Sequence, residues 1–132
     1  MSIQCLTPST LAPAGGHYSP VVVAAGLAWV AGQLPIDEQG RRLGDQPFEA
    51  QAQQVLANVE AALLAAGSSP DRLVQVRVYL TDLADRPLFD TLYARWLGAH
   101  KPARAVVPIP ALPAGMRLEV EAVALLDEDR RA

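Results

Sequence analysis

Cysteine and histidine are scarce in this sequence: Cys5 is the only cysteine, and the two histidines are His17 and His100. A single cysteine excludes a disulfide within the chain. These three residues lie far apart and show no metal-ligand spacing, so we expect no metal site. Gly15-Gly16 and Gly26 match neither Gly-rich phosphate-binding pattern, and no Gly-x-Ser-x-Gly motif occurs. The sequence therefore predicts no metal, no cofactor, and no nucleotide or covalent serine chemistry.

Long apolar runs and an excess of positive charge are missing too. No run reaches the ~18 apolar residues of a membrane-spanning helix, and residues 1–4 lack the basic and apolar regions of a signal peptide. The formal net charge is −3, whereas proteins that bind nucleic acid usually carry a clustered basic face. We therefore expect a cytoplasmic protein that binds neither membrane nor nucleic acid.

The composition that remains is typical of a folded chain. Hydrophobic residues make up 51% and charged residues 19% of the 132 residues. A chain of this length can bury its own core as one domain, which we place at residues 1–132. The charged end, residues 127–132, is expected to fray.

Two helices are predicted from apolar spacing and end signals. The first starts at Pro47, a favourable first helical residue, and ends at Gly67, where a left-handed cap is expected. The second follows Thr81, Asp82 and Asp85, which offer capping oxygens. One face of the first helix is apolar: Phe48, Ala52, Val55, Leu56, Val59, Ala62, Leu63 and Ala66. The second has its own apolar face: Phe89, Leu92, Tyr93, Trp96 and Leu97.

Six strands are predicted, from residues 3–6, 21–24, 27–31, 73–80, 104–107 and 117–126. In the fourth strand, Val74, Val76, Val78 and Leu80 alternate and should share a buried face. The sequence therefore predicts an α+β fold, with two helices covering one face of a mixed six-stranded sheet. The uncovered face is half apolar and carries Glu119 and Glu121, which suggests an oligomer.

Arg104 and Glu119 are the candidate functional pair. Arg104 stands after Pro102 at the start of a strand, where a guanidinium can grip a carboxylate with two hydrogen bonds. Glu119 lies on the last strand, so the two residues would be close if their strands pair. From the pattern alone, the more common interpretation is an ordinary strand-end arginine at position 104 and a solvated surface carboxylate at position 119.

Several segments, taken in order, resemble the enamine/imine deaminases of the RidA or YjgF-like family. The first two are Gly16-His17-Tyr18-Ser19-Pro20, similar to Gly-Pro-Tyr-Ser in the family, and Trp29-Val30-Ala31-Gly32-Gln33-Leu34-Pro35, similar to Val-Ser-Gly-Gln-Ile-Pro. The others are residues 51–67, Pro102-Ala103-Arg104, Leu112-Pro113 and Glu119-Val120-Glu121-Ala122. Together they cover nearly the whole chain.

The resemblance implies a fold like that of trimeric chorismate mutase and homotrimers with sites between subunits. It also implies an enzyme without metal or cofactor, a hydrolase of the 2-iminobutanoate/2-iminopropanoate deaminase type. Such an enzyme converts small 2-enamino or 2-imino acids to 2-keto acids and ammonia. The alternative is a non-catalytic module of the same fold that binds a small carboxylate or regulates a partner. Ribonuclease activity is disfavoured by the acidic charge, and chorismate mutase activity does not follow from fold.

Residue roles follow from the same resemblance. Arg104 would bind the substrate carboxylate, Glu119 would position or activate water, and Tyr18 would close the pocket and donate a hydrogen bond. Backbone groups of Gly32 and Val106 would contact the substrate.

The chain departs from the family pattern at several positions. Ala31 replaces a usual Ser, Val106 a common Cys, Asp90 a frequent Asn and His17 a frequent Pro. Asp90 would repel an anionic substrate unless it pairs with Arg104 or lies outside the pocket. We interpret the chain as a divergent member of the family.

Overall fold

The computed structural model describes residues 2–130, which form one six-stranded sheet and two α-helices. Along the chain these are β1 (Gln4–Leu6), β2 (Val21–Ala24), β3 (Leu27–Gln33), α1 (Phe48–Ala66), β4 (Leu73–Leu80), α2 (Arg86–Leu97), β5 (Ala103–Pro108) and β6 (Leu118–Leu125). The sheet order is β1-β2-β3-β6-β4-β5, with β4 and β5 parallel and the other neighbours antiparallel. Both helices pack on one face, so the predicted α+β architecture is confirmed.

Helix α1 forms as its sequence predicts. It begins after Pro47 and ends at Gly67, whose positive φ of 83° lets its backbone N–H bond back to the Leu64 carbonyl at 3.2 Å. The eight residues of its predicted apolar face are all buried against the sheet. None of the helices in residues 2–130 has the length and apolar character needed to span a membrane.

The two faces of the sheet differ. On the helix side, β6 buries every second residue: Leu118, Val120, Ala122 and Ala124. The opposite side, here called the open face, carries Trp29, Tyr79, Glu119 and Glu121 without a covering helix. Trp29 on this face is 43% exposed.

One residue of β4 faces the wrong way for the predicted alternation. Val74 was expected to be buried with Val76, but it is 49% exposed and Leu73 is buried instead. The pairing of β4 with β6 shifts register between Leu73 and Gln75, and such a bulge inverts the alternation that precedes it. The buried face of β4 therefore contains Leu73 in place of Val74.

The start of α2 and the end of the chain also differ from prediction. Asp82 caps the short 3-10 turn Leu83–Asp85 by accepting from Ala84 N at 2.9 Å, whereas Asp85 accepts from Arg117 Nη2 at 2.7 Å and caps nothing. Asp127, expected to fray, bonds through its N–H to the Gly67 carbonyl and is followed by a 3-10 turn, Glu128–Arg130. Residues 131 and 132 of the predicted frayed end lie outside the described part.

Candidate active site

The site begins at an irregularity in β3. Its pairing with β6 shifts between Val30 and Gln33, so that Ala31 and Gly32 together face one residue of β6, Glu121. Beside this bulge lies the side chain of Glu119. A Cβ on residue 32 would lie 2.5 Å from Glu119 Oε2, closer than atoms approach without moving. Glycine at position 32 therefore makes room for the Glu119 carboxylate against the β3 backbone.

A cavity of about 670 Å³ opens at this bulge, and four of the seven predicted site residues line it: Tyr18, Ala31, Gly32 and Glu119. The remaining three, Asp90, Arg104 and Val106, do not line it. Its size falls within the ~300–1,000 Å³ of typical small-molecule sites. The other lining residues are Leu11, Ala12, Pro13, Ala14, Gly15, Gly16, Pro20, Gln33, Leu34, Ile36, Gly40, Arg42, Asn58, Pro113 and Met116.

Glu119 is the carboxylate of this cavity, and its surroundings favour the protonated form. Partial burial raises the pKa of Glu119 above its ordinary value of 4.5, and the nearby charge of Glu121 raises it further. Glu121 is already engaged, because it accepts a hydrogen bond from the Tyr79 hydroxyl and lies 4.0 Å from Arg77 Nη1. Of the two carboxylates on this strand face, Glu119 is therefore the one available to a ligand.

Tyr18 forms the rim of the cavity. The chain turns tightly before it, with Tyr18 N bonded to the Gly16 carbonyl at 3.0 Å, and its ring lies over Gly16. Ala31 N then bonds to the Pro20 carbonyl at 2.9 Å, which ties this loop to the β3 bulge. Tyr18 is 53% exposed, so its hydroxyl is accessible to a molecule entering the cavity.

Asn58 holds the opposite wall, a role that the sequence pattern does not predict. Its Nδ2 donates to the carbonyls of Leu34 at 3.1 Å and Ile36 at 2.9 Å, while its Oδ1 accepts from Gln54 at 2.8 Å. The signal was present in the sequence, because Asn58 adjoins the apolar face of α1. A buried amide needs partners, and here they are carbonyls of the cavity wall.

Arg104 lies on the helix side of the sheet. It pairs in register with buried Val76 and points towards α2, where its Nη1 lies 2.8 Å from Asp90 Oδ1. That contact lacks the alignment of a hydrogen bond and is an ion pair. The guanidinium also lies over the Tyr93 ring, 5.1 Å from its centroid. Asp90 is thus a half-exposed helix residue that pairs with Arg104.

The expected proximity of Arg104 and Glu119 within one chain is wrong. Strands β5 and β6 do not pair, since β4 lies between them in the sheet. Arg104 faces the helices with Val76, whereas Glu119 faces the open side with Tyr79. Val106 accompanies Arg104 on the helix side. A site containing both charged groups would need a second copy of the chain.

Metal-ligating side chains do not cluster in the described residues. Across residues 2–130, no three of the His, Cys, Asp and Glu side chains are placed to hold a metal ion together. The groups that line the cavity include the Glu119 carboxylate, the Tyr18 phenol, Arg42 and backbone groups.

Comparison with known proteins covers most of the chain. Residues 9–126 match the family model described as Endoribonuclease L-PSP. A RutC family protein of Pyrococcus horikoshii is 38% identical over 109 residues, which are 83% of this chain and 86% of that protein. The chloroplastic Reactive Intermediate Deaminase A of Arabidopsis thaliana is 33% identical over 116 residues, 87% of this chain and 62% of that protein.

Solved structures share the fold. The crystal structure of TdcF from E. coli with bound serine superposes with a TM-score of 0.87 at 28% identity. The match covers 94% of this chain and 99% of that one.

Proposed function

The chain belongs to the endoribonuclease L-PSP family, which includes the YjgF, RidA and RutC proteins, and on that premise we propose that it hydrolyses reactive 2-imino and 2-enamino acids. The products are a 2-keto acid and ammonia. The observation that carries this proposal is the Glu119 carboxylate, held half-buried beside Gly32 in a cavity that the Tyr18 loop borders. The name of the Arabidopsis relative supports the same chemistry.

The proposed reaction is the addition of water to an electrophilic carbon. Glu119 takes a proton from the water as its oxygen bonds to C2 of the imine, and that proton passes to the imine nitrogen. As the C2–N bond of the tetrahedral intermediate breaks, Glu119 transfers the hydroxyl proton to the leaving nitrogen, which gives the 2-keto acid and ammonia. Because the imine is already electrophilic, orienting water beside it supplies much of the rate enhancement.

The proposed carboxylate clamp is Arg104 of the partner subunit. Since Arg104 and Glu119 occupy opposite faces of one sheet, a complete site requires the open face of one copy to meet the β5 edge of another. We propose the closed trimer of the family for this arrangement, with Tyr18 closing the pocket and the backbone of Gly32 and Val106 contacting the substrate. The serine bound to TdcF supports a site that accepts a small amino-acid-like ligand.

The test is a coupled assay with 2-iminopropanoate and 2-iminobutanoate generated in place from amino acids. We expect the native protein to accelerate imine loss, and both Arg104→Ala and Glu119→Gln to reduce the effect at least a hundredfold. Arg95→Ala and Glu128→Gln, which change the same charges elsewhere, serve as controls. A folded native protein without effect on any imine would refute the proposal.

A second candidate is a non-catalytic module that binds small carboxylates. Ala31 favours it, because the usual serine hydroxyl is missing from the cavity. Binding of 2-keto acids without imine hydrolysis would identify this alternative. The cytoplasmic location stays a prediction.

A further inference from the structure

Two adjacent arginines, Arg41 and Arg42, have different surroundings. Arg41 Nε lies 2.7 Å from Asp37 Oδ2 and bonds to it, so its charge is compensated. Arg42 lines the cavity that holds Glu119. Within residues 2–130 its guanidinium makes no ion pair or side-chain hydrogen bond. The sequence alone indicates one solvated loop pair, whereas the structure gives only Arg42 a place at the cavity.

The backbone around Arg42 is fixed to the cavity wall. Arg42 forms a β-bridge with Ile36, and Leu43 N bonds to the Pro35 carbonyl at 2.9 Å. Ile36 is in turn held by Asn58 Nδ2, which donates to its carbonyl at 2.9 Å. This chain of contacts connects Arg42 to α1. The cation therefore stands on an anchored loop at the rim.

Charge and size together indicate what Arg42 can bind. Arg42 and Glu119 are the two charged residues among those lining the cavity. Liquid water occupies ~30 Å³ per molecule, so about 670 Å³ corresponds to roughly twenty waters. A three-carbon imino acid fills only a small part of that volume. In a single chain, before a partner subunit covers the open face, the cavity has room for a longer side chain that ends in an anionic group.

We propose that Arg42 binds a second carboxylate, at the far end of the substrate side chain, and that the preferred substrates are 2-imino dicarboxylic acids. This inference rests on the proposed deaminase function, in which Arg104 of the partner subunit holds the first carboxylate. One guanidinium matches one carboxylate through two parallel hydrogen bonds. Arg42, an exposed residue at the cavity rim, is the one cation among the lining residues that such a carboxylate meets.

The first experiment measures binding of stable 2-keto acids by calorimetry. The native protein should bind 2-oxoglutarate about tenfold more tightly than 2-oxobutanoate, because only the former carries the second carboxylate. Arg42→Gln should remove this preference and leave 2-oxobutanoate affinity within about twofold. Arg95→Gln, which removes another exposed cation far from the cavity, is the matched control. No preference in the native protein, or equal weakening of both ligands by Arg42→Gln, would overturn the inference.

The second experiment measures hydrolysis of imines made in place from alanine and from glutamate. Arg42→Gln should lower kcat/KM for the glutamate imine about tenfold and change the alanine imine little. Hydrolysis of both imines without dependence on Arg42 contradicts the inference and leaves the deaminase function standing. Arg42-dependent binding of 2-oxoglutarate without hydrolysis of any imine contradicts the deaminase function and supports the carboxylate site itself.

Discussion

At the scale of single residues, Asp90 controls the charge that Arg104 can offer. The 2.8 Å contact between Asp90 Oδ1 and Arg104 Nη1 leaves the pair close to neutral. Arg86 shares the Asp90 carboxylate from the other side, with its Nε 3.7 Å from Oδ2. An incoming carboxylate must therefore compete with Asp90 for the guanidinium, or join both groups in one cluster.

Removing this competition should strengthen ligand binding. We expect Asp90→Asn to increase the affinity for 2-oxobutanoate by about three- to tenfold, because the amide keeps the shape but not the charge. Calorimetry checks this, with Glu49→Gln as a control of equal charge change on α1. Weaker binding in Asp90→Asn would show instead that Asp90 orders Arg104 for the ligand.

The raised pKa of Glu119 predicts the pH dependence of the reaction. Burial raises this pKa, and the charge of Glu121 adds to it. Because the proposed base acts when ionised, kcat/KM should increase with pH through a pKa above 4.5. Glu121→Gln removes the second contribution, so the acid limb of the profile should move to lower pH. The control Glu128→Gln should leave the acid limb in place. If Glu121→Gln also leaves it in place, the group that titrates in the profile is not Glu119.

The raised pKa of Glu119 affects the free energy of unfolding in the direction opposite to its effect on activity, because it favours low pH. A carboxyl group whose pKa is higher in the folded state binds its proton more tightly there. Its contribution to the free energy of unfolding is therefore present below the ordinary pKa of 4.5 and is lost as pH increases through the raised value. The ionised carboxylate needed for the reaction thus carries a stability cost.

At the scale of elements, the β3 bulge determines where the Glu119 carboxylate lies. Gly32→Ala would place a Cβ 2.5 Å from Glu119 Oε2. Because that oxygen ends a flexible side chain, we expect the free energy of unfolding to change by less than about 1 kcal/mol. Catalytic activity should nevertheless fall at least tenfold, because the base is displaced.

The chain offers a matched control for this substitution. Gly15 also lines the cavity, but a Cβ there would meet no atom within 4 Å. Gly15→Ala should therefore keep its activity. Denaturant unfolding and the imine assay together distinguish a displaced carboxylate from a damaged fold, and equal activities of the two variants would contradict the role of the bulge.

Local patterns in the sequence predict the elements well and the irregularities poorly. The 3.6-residue period and Gly67 suffice for α1, because both signals lie within the helix itself. The bulge that exposes Val74 depends on how β4 pairs with β6, which no local pattern records. For the same reason the prediction that Arg104 and Glu119 lie close together fails, because local patterns do not show that β4 separates their strands.

The candidate site was predictable to a similar extent. Tyr18, Ala31, Gly32 and Glu119 were identified from motifs, and the structure gathers them around one cavity. Asn58 and Arg42 were assigned no role. The amide of Asn58 bonds to carbonyls that are distant in sequence, and Arg42 lines a cavity that only the folded chain forms. Contacts of this kind appear only after the chain has folded.

At the scale of the whole molecule, the open face is the surface that should join copies of the chain. Trp29 on this face is 43% exposed. We expect Trp29→Arg to convert the proposed oligomer to a monomer, because burying an unpaired charge in an interface is costly. Light scattering after size-exclusion chromatography measures the mass. Leu64→Arg, at a residue 59% exposed on α1, is the control and should keep the native mass; an unchanged mass in Trp29→Arg would rule out this surface.

The separation of Arg104 and Glu119 by the sheet has a genetic consequence. Arg104→Ala and Glu119→Gln would each inactivate every site of a pure assembly, yet each chain still carries the group that the other lacks. Co-expressed in equal amounts and mixed at random in a closed ring, the two mutant alleles should restore about a quarter of the sites. Complementation between two null alleles in one cell would then show that one site takes Arg104 from one subunit and Glu119 from another. Failure of complementation would contradict a site shared between subunits.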